Sequence, residues 1–197
     1  MLSLRLAEIA DAAEIAAIYA PIVRETVISF ETTPPDSEEI ADRIRATLPT
    51  YPWLVCEQDG DLLGYAYAGS HRSREAYRWS VDVSVYVHFE YRRSGVGEGL
   101  YRALFSLLEA QGFYNAYAGI ALPNAASVGL HESLGFEHVG TYEDVGYKNG
   151  AWRSVGWWQR TLQSHEKTPE PPRPVTELPE EVVTDASNDG REPIRVT

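Results

Sequence analysis

Between Trp79 and His88 the chain alternates with a period of two. Trp79, Val81, Val83, Val85 and Val87 fall on one side, and Ser80, Asp82, Ser84, Tyr86 and His88 on the other. Side chains of a strand point to opposite faces in turn, so this segment predicts a β-strand with one apolar face. Soon after it, Glu98 to Gln111 sets apolar residues at helical spacing, with Gly112 placed as a C-cap. The two periods recur along the chain. Leu4 to Glu8 predicts a strand, Asp11-Ala-Ala-Glu14 a capping box opening a helix through Val23, and Asp36 with Glu39 a second helix ending near Leu48-Pro49. Trp53 to Gln58 and Leu62 to Ala68 flank Asp59-Gly60-Asp61 and predict a hairpin. Tyr114 to Leu122 predicts a strand and Asn124 to Leu134 a short helix closed by Gly135. Glu137 to Gly146 and Trp152 to Leu162 predict two last strands around Lys148-Asn149-Gly150. Elements in this order predict an α/β (α+β) domain of three layers, with a mixed central sheet flanked by helices.

The pattern stops near residue 163. From His165 onward, Pro169, Pro171, Pro172, Pro174, Pro179 and Pro193 punctuate a polar, acidic stretch. Such a composition buries little apolar surface against its ordering entropy. The expectation is a folded domain at 1–163 followed by a disordered or extended tail at 164–197. The apolar runs Val182-Val183 and Ile194 to Val196 are the places where that tail could dock.

Composition narrows the function. No stretch is long and apolar enough to span a bilayer, and the first residues lack a charged-then-apolar signal, so the expected compartment is the cytoplasm. Cys56 is the only cysteine, which excludes an internal disulfide and a cysteine metal cluster; its neighbours Leu54-Val55 make it a packed thiol, and no metal is expected. A formal net charge of −12 argues against nucleic acid as a partner. Lysine is confined to Lys148 and Lys167. On so acidic a body, the cluster Arg72, Arg74 and Arg78 and the pair Arg92-Arg93 imply an anionic ligand.

One of these arginine sites has a form of its own. Arg92-Arg93-Ser94-Gly95-Val96-Gly97 lies between the alternating strand and the following helix, where free N–H groups of a helix N-terminus make an anion site. A nucleoside-triphosphate loop would need a Lys-Ser/Thr pair after its last glycine, and Glu98-Gly99 stands there. The dinucleotide fingerprint could only be forced from Gly95, Gly97 and Gly99. Two further features carry chemistry. Asp82 sits on the polar side of a strand expected to be covered on both faces, where an acid needs a partner or a task. Asn124 is an N-cap for the helix on which Ser127 and His131 share a face.

The spacing Arg-x-x-Gly-x-Gly resembles the coenzyme A pyrophosphate loop of the GNAT N-acetyltransferases. Wider segments resemble the phosphinothricin N-acetyltransferase family: Tyr51-Pro-Trp-Leu54, Ala66-Tyr-Ala-Gly69, Ala76-Tyr-Arg-Trp79 through Ser84-Val-Tyr-Val87, Leu122-Pro-Asn124 through His131-Glu-Ser-Leu-Gly135, and Lys148-Asn-Gly-Ala-Trp152. They follow the family's order across most of residues 4 to 162. The resemblance implies a GNAT-type fold and transfer of an acetyl group from acetyl-CoA to the α-amine of a small amino acid such as phosphinothricin, methionine sulfoximine or methionine sulfone. It implies herbicide resistance where phosphinothricin is the acceptor. By the same resemblance, Val85, Tyr86, Val87 and His88 would hold the pantetheine arm through their backbone. Arg93, Ser94, Gly95, Val96, Gly97 and Glu98 would receive the pyrophosphate, with Glu98 turning its side chain outward, and Asn124 would contact the pantetheine. Phe30, Arg72, Arg74 and Tyr77 match positions near the acceptor. The family's glutamate base is replaced by Asp82, one methylene shorter, so a water relay is favoured over direct proton abstraction; His131 is the other candidate base. A homodimer is implied, and Trp152, Trp157 and Trp158 could serve its interface or the core. Two other readings stay open: a non-catalytic CoA-binding regulatory module, and an acetyltransferase for a polyamine or a protein N-terminus. No membrane partner is expected.

Overall fold

A computed structural model describes residues 1–196. Seven strands form one sheet: β1 (Leu2–Leu6), β2 (Trp53–Gln58), β3 (Asp61–Ser70), β4 (Ser80–Val87), β5 (Asn115–Ala121), β6 (Glu137–Lys148) and β7 (Ala151–Thr161). Their order across the sheet is β1-β2-β3-β4-β5-β7-β6. Every neighbouring pair is antiparallel except β4 with β5. The hairpin turn Asp59-Gly60 has positive φ at both residues, the geometry that matches strand twist in a two-residue connection.

Helices α1 (Ala12–Glu25) and α2 (Ser37–Thr47) cover one face, and α3 (Val96–Gln111) and α4 (Ala125–Ser133) lie on the other. Strand β2 shows why both faces are apolar. Trp53 and Val55 pack with Ile15, Ile22 and Ile44 under the first pair of helices, while Leu54 and Cys56 pack with Leu100, Leu104 and Leu108 of α3. Burial pushes the Cys56 thiol up to about 12, which leaves it inert at neutral pH.

Asp36 caps α2 as its spacing predicts, accepting from the Glu39 N–H at 2.9 Å. The first capping box differs. The Asp11 carboxylate turns away from α1, drawn by the Arg5 guanidinium (2.8 Å) and the Glu8 N–H (2.7 Å), and Glu14 accepts from the Leu62 N–H instead. Strand β1 accordingly ends at Leu6, short of Glu8.

The expected disorder of the tail is corrected by the structure. Residues Glu180–Arg191 form a helix, α5, packed against α3 and β1. Val175, Leu178, Ala186 and Ile194 are buried in the α3-side core, with Val182 and Val183 against it. Acidic and proline-rich composition masked a stripe at 182, 186 and 190, a four-residue spacing that gives the helix one face, with Ile194 following just after its end. Where α5 crosses α3 the backbones nearly touch: a methyl group on Gly99 would overlap the Gly190 carbonyl oxygen. Hydrogen bonds from Arg173 N–H to the Gln111 carbonyl (2.9 Å) and from Val175 N–H to the Thr50 carbonyl (3.1 Å) stitch the segment to the body. Among the described residues, no helix is long and apolar enough to cross a membrane, and no cluster of three metal-ligating side chains occurs.

Candidate active site

The site follows from how β4 pairs. At its two ends the His88 N–H donates to the Leu63 carbonyl (2.9 Å) and the Ser80 carbonyl accepts from the His71 N–H (3.4 Å), so even-numbered residues spend their backbone groups on β3. Antiparallel alternation then turns the groups of Val81, Val83, Val85 and Val87 toward β5. Strand β5 meets β4 only from Ser80 to Asp82, opposite Asn115 to Tyr117, and continues along β7. Past that point the strands part. The N–H and C=O groups of Val85 and Val87 face the gap without a strand partner. Tyr86 and His88, expected beside them as backbone contacts, face β3, as the alternation requires.

Beyond the gap lies the N-terminus of α3. Gly95 is its N-cap in the left-handed region (φ 85°), preceded by Arg93 at φ 63°. The first bond of the helix runs from the Gly99 N–H to the Gly95 carbonyl (2.8 Å), which leaves the N–H groups of Val96, Gly97 and Glu98 without a partner among the described residues, at the positive end of the dipole. Gly97 lets α4 approach, since a methyl group there would come within 3.2 Å of Leu130. The Glu98 carboxylate turns along the helix to Arg102 (2.6 Å), away from these donors. Val96 itself is buried, Ser94 donates to the Tyr91 carbonyl, and the Ser94 carbonyl accepts from the Arg195 N–H (2.7 Å), so the loop is braced by its own side chains and by the tail. A ligand with an anionic end and an amide-bearing arm fits this run of backbone donors and acceptors.

The other end of the gap is built from side chains. A cavity of ≈ 300 Å³ is lined by Phe30, Asp82, Ser84, Tyr86 and Trp157 among others. Asp82 is 38 % exposed, and its Oδ1 lies 2.6 Å from Nδ1 of His71. Burial raises the Asp82 pKa, with the His71 hydrogen bond and charge acting the other way. Arg72 lays its guanidinium over the Trp157 ring at 5.8 Å and donates to the His71 carbonyl (2.8 Å). Tyr77 meets His71 edge-on at 6.0 Å. Arg74 starts the short 3-10 turn that holds Tyr77, with its own side chain in solvent. The Phe30 ring is set by Gly146, whose position has no room for a methyl group. The loop carrying it is pinned by buried Lys148, whose Nζ donates to the carbonyls of Val23 (2.8 Å) and Ser29 (2.6 Å).

A narrower slot, ≈ 60 Å³, adjoins this cavity and is lined by Val85, Tyr101, Asn124, Ser127 and His131 among others. Asn124 caps α4 through the Ser127 N–H (3.1 Å). His131 is buried and both ring nitrogens are engaged. Nδ1 lies 2.8 Å from the Ser127 carbonyl, which can only accept, so Nδ1 carries the hydrogen; Nε2 therefore accepts from the Tyr101 hydroxyl (3.0 Å). Burial lowers the His131 pKa, partly offset by the Ser127 carbonyl. Its lone pair is thus taken, unlike the carboxylate of Asp82. Asp82 and His131 end up on adjoining cavities that share Val83, Ser84 and Tyr86.

Two residues at this site escaped the sequence patterns. His71 stands in a loop with no periodicity, and only its contact with Asp82 marks it. Trp157, which the sequence assigns to an interface or the core, lines the cavity, and its Nε1–H is buried without a partner among the described residues. Trp158, its neighbour, is in the core, and Trp152 is exposed.

Residues 4–157 match the model of the acetyltransferase (GNAT) domain. The chain is 42 % identical to the phosphinothricin N-acetyltransferase of Streptomyces viridochromogenes, over 87 % of this chain and 92 % of that one. It is 39 % identical to the L-methionine sulfoximine/L-methionine sulfone acetyltransferase of Pseudomonas aeruginosa, over 85 % and 98 %. Among solved structures, a GNAT superfamily phosphinothricin acetyltransferase from Sinorhizobium meliloti, in complex with AcCoA, superposes with a TM-score of 0.80 at 34 % identity, covering 86 % of this chain and 96 % of that one.

Proposed function

The chain belongs to the GNAT acetyltransferases and, among them, to the phosphinothricin N-acetyltransferase family, and on that premise we propose that it moves an acetyl group from acetyl-CoA to the α-amine of a small amino acid. Phosphinothricin, methionine sulfoximine and methionine sulfone are the acceptors of choice, each with an α-carboxylate and a tetrahedral phosphorus or sulfur centre. One observation carries this activity: β4 parts from β5 just after Asp82, leaving backbone donors on one side and a carboxylate on the other.

Acetyl-CoA, when bound, supplies a thioester whose carbonyl carbon is open to an amine. Val96, Gly97 and Glu98 offer N–H groups to the pyrophosphate, with Arg93 beside them, and Val85 and Val87 offer theirs along the arm and to the carbonyl oxygen. An ammonium has no lone pair, so a base must take its proton first. Asp82 is that base: it lines the acceptor cavity, and its second oxygen stays free of His71. His131, with its lone pair held by Tyr101, serves instead as half of a polar pair on the wall of the coenzyme slot. Arg72 offers a planar, bidentate group for the acceptor's carboxylate or oxyanion, which disfavours a polycation such as spermidine. Trp157 adds an aromatic wall to the acceptor cavity.

We also infer a homodimer. Tyr142, Val145, Tyr147 and Trp152 expose large apolar side chains on the β6–β7 hairpin, a surface suited to a second copy. Sedimentation at micromolar concentration would show a monomer if that pairing is wrong.

Thiol release from acetyl-CoA, measured with the three compact amino acids and with spermidine in parallel, tests the activity. Turnover on one or more of the amino acids and none on spermidine is expected. Acetyl-CoA binding with no turnover on any of them would overturn the acceptor class and favour a binding module.

A further inference from the structure

His71 is the residue that Asp82 touches, and four elements hold it still. Its imidazole stacks on Tyr117 of β5, with ring centroids 4.2 Å apart and planes 17° apart. Tyr77 from the 3-10 turn and Trp157 from β7 close on its edges at 6.0 and 6.2 Å. Its backbone N–H is tied to Ser80 at the start of β4. The side chain is only 12 % exposed. A carboxylate can only accept, so in the 2.6 Å contact Nδ1 carries the hydrogen and Oδ1 receives it.

We propose that His71 is a positioning residue of the acetyl transfer: its Nδ1–H holds one oxygen of Asp82, so that the other faces the amine of the acceptor. The inference rests on Asp82 being the base. An aspartate has a short reach, so direction matters more for it than for a longer acid. A charge-assisted bond to a ring locked by three aromatic neighbours sets that direction. The same contact also opposes protonation of the carboxylate. Burial alone would push Asp82 toward its protonated form, and His71 is the largest influence opposing that, ahead of Arg72. Among the described residues, the other titratable groups facing the pair are Tyr67 of β3, Tyr77 and Tyr117, and Arg72 is the one formal cation around it.

Three variants test the role in the full-length enzyme. His71→Asn keeps an amide N–H near the place of Nδ1 but cannot take up a proton, His71→Leu offers no donor, and Asp82→Asn removes the base. Steady-state rates with methionine sulfone across pH are read beside acetyl-CoA binding by calorimetry and the proton spectrum of the free protein. His71→Leu is expected to lower kcat by about 10- to 100-fold, with acetyl-CoA affinity kept and the acid limb of the rate profile moved to higher pH. His71→Asn should recover most of the rate. Wild type should show a low-field imidazole proton that both His71→Leu and Asp82→Asn abolish. In the Asp82→Asn background, His71→Leu should cost nothing further. A wild-type rate and pH profile in His71→Leu would overturn the proposal, as would His71→Asn being as slow as His71→Leu. If Asp82→Asn retains full turnover while wild type still shows the low-field proton, the pair exists but the base assignment fails.

Discussion

The two ends of β4 do their work with different parts of the chain. At the end proposed for the coenzyme, the donors on offer are backbone N–H groups of Val85, Val87 and the first turn of α3, groups that almost any residue would supply. What the sequence must specify there is conformation: Gly95 at φ 85° and Gly97 against Leu130. At the end proposed for the acceptor, the groups are side chains, and they come from four separate places: Phe30 after α1, His71 and Arg72 after β3, Asp82 on β4 and Trp157 on β7. An anion can be held by backbone geometry alone, because its charge is what is recognised. Moving a proton needs one particular functional group in one particular place.

The contrast breaks most sharply at Asp82. Asp82→Asn keeps the shape and most hydrogen bonding but cannot accept a proton, so kcat should fall by about 10²–10⁴-fold with little change in the KM for acetyl-CoA. In wild type the rate should fall as pH drops through the Asp82 pKa, because the protonated acid is no base. Since burial raises that pKa, the fall begins at higher pH than an exposed aspartate would give. At the coenzyme end the matching lesion is conformational. Gly95→Val puts a β-branched residue at positive φ and drives its Cβ into the Pro193 carbonyl of the tail. It should cost about 1–3 kcal/mol of stability in urea unfolding and raise the KM for acetyl-CoA. Its kcat at saturating coenzyme should fall far less than that of Asp82→Asn.

The same contrast explains what could be read from the chain unaided. The strand, the glycine turn and the helix N-terminus proposed for the coenzyme were legible because that geometry is local: the glycines, the strand before them and the helix after them are neighbours in sequence. Strands and helices were legible wherever burial of one face sets a period, as in β4 and α3, and where an apolar run is bounded by turn residues, as in β2. His71 was not legible, because nothing in a loop residue's surroundings announces that β4 will bring Asp82 to it. The roles of Tyr86 and His88 depended on which parity of β4 pairs with β3, a register that hydrophobic pattern does not fix when both faces are covered. The tail was misread for another reason. Its average composition is that of a disordered segment, but Ala186, Gly190 and Ile194 form a stripe that matters only once α3 and Leu4 are there to receive it.

A smaller effect, and on stability first, is expected at Lys148, which belongs to the acceptor end only through the loop it pins. Lys148→Met fills similar space but leaves the Val23 and Ser29 carbonyls without their donor, at a cost of about 1–3 kcal/mol. Thermal unfolding measures that loss. Because the loop carries Phe30, the KM for the amino acid should rise while that for acetyl-CoA holds. The reverse pattern would mean that Phe30 is no wall of the acceptor cavity.

The smallest expected change is at Glu98, and it sharpens the contrast most cleanly. Its N–H is one of the free donors at the coenzyme end, whereas its carboxylate is paired with Arg102 on the outside of α3. Glu98→Gln keeps the N–H and removes the charge. A half-exposed i,i+4 pair on a helix is worth about 0.3–0.5 kcal/mol, so the unfolding midpoint should barely move. Acetyl-CoA affinity, read by titration calorimetry at low salt, should also stay close to wild type. A marked tightening would show that the carboxylate faces the phosphates and repels them, and the coenzyme end would then depend on side-chain charge as the acceptor end does. An unchanged affinity, beside a dead Asp82→Asn, is what a backbone-built site requires of an acidic residue at its centre.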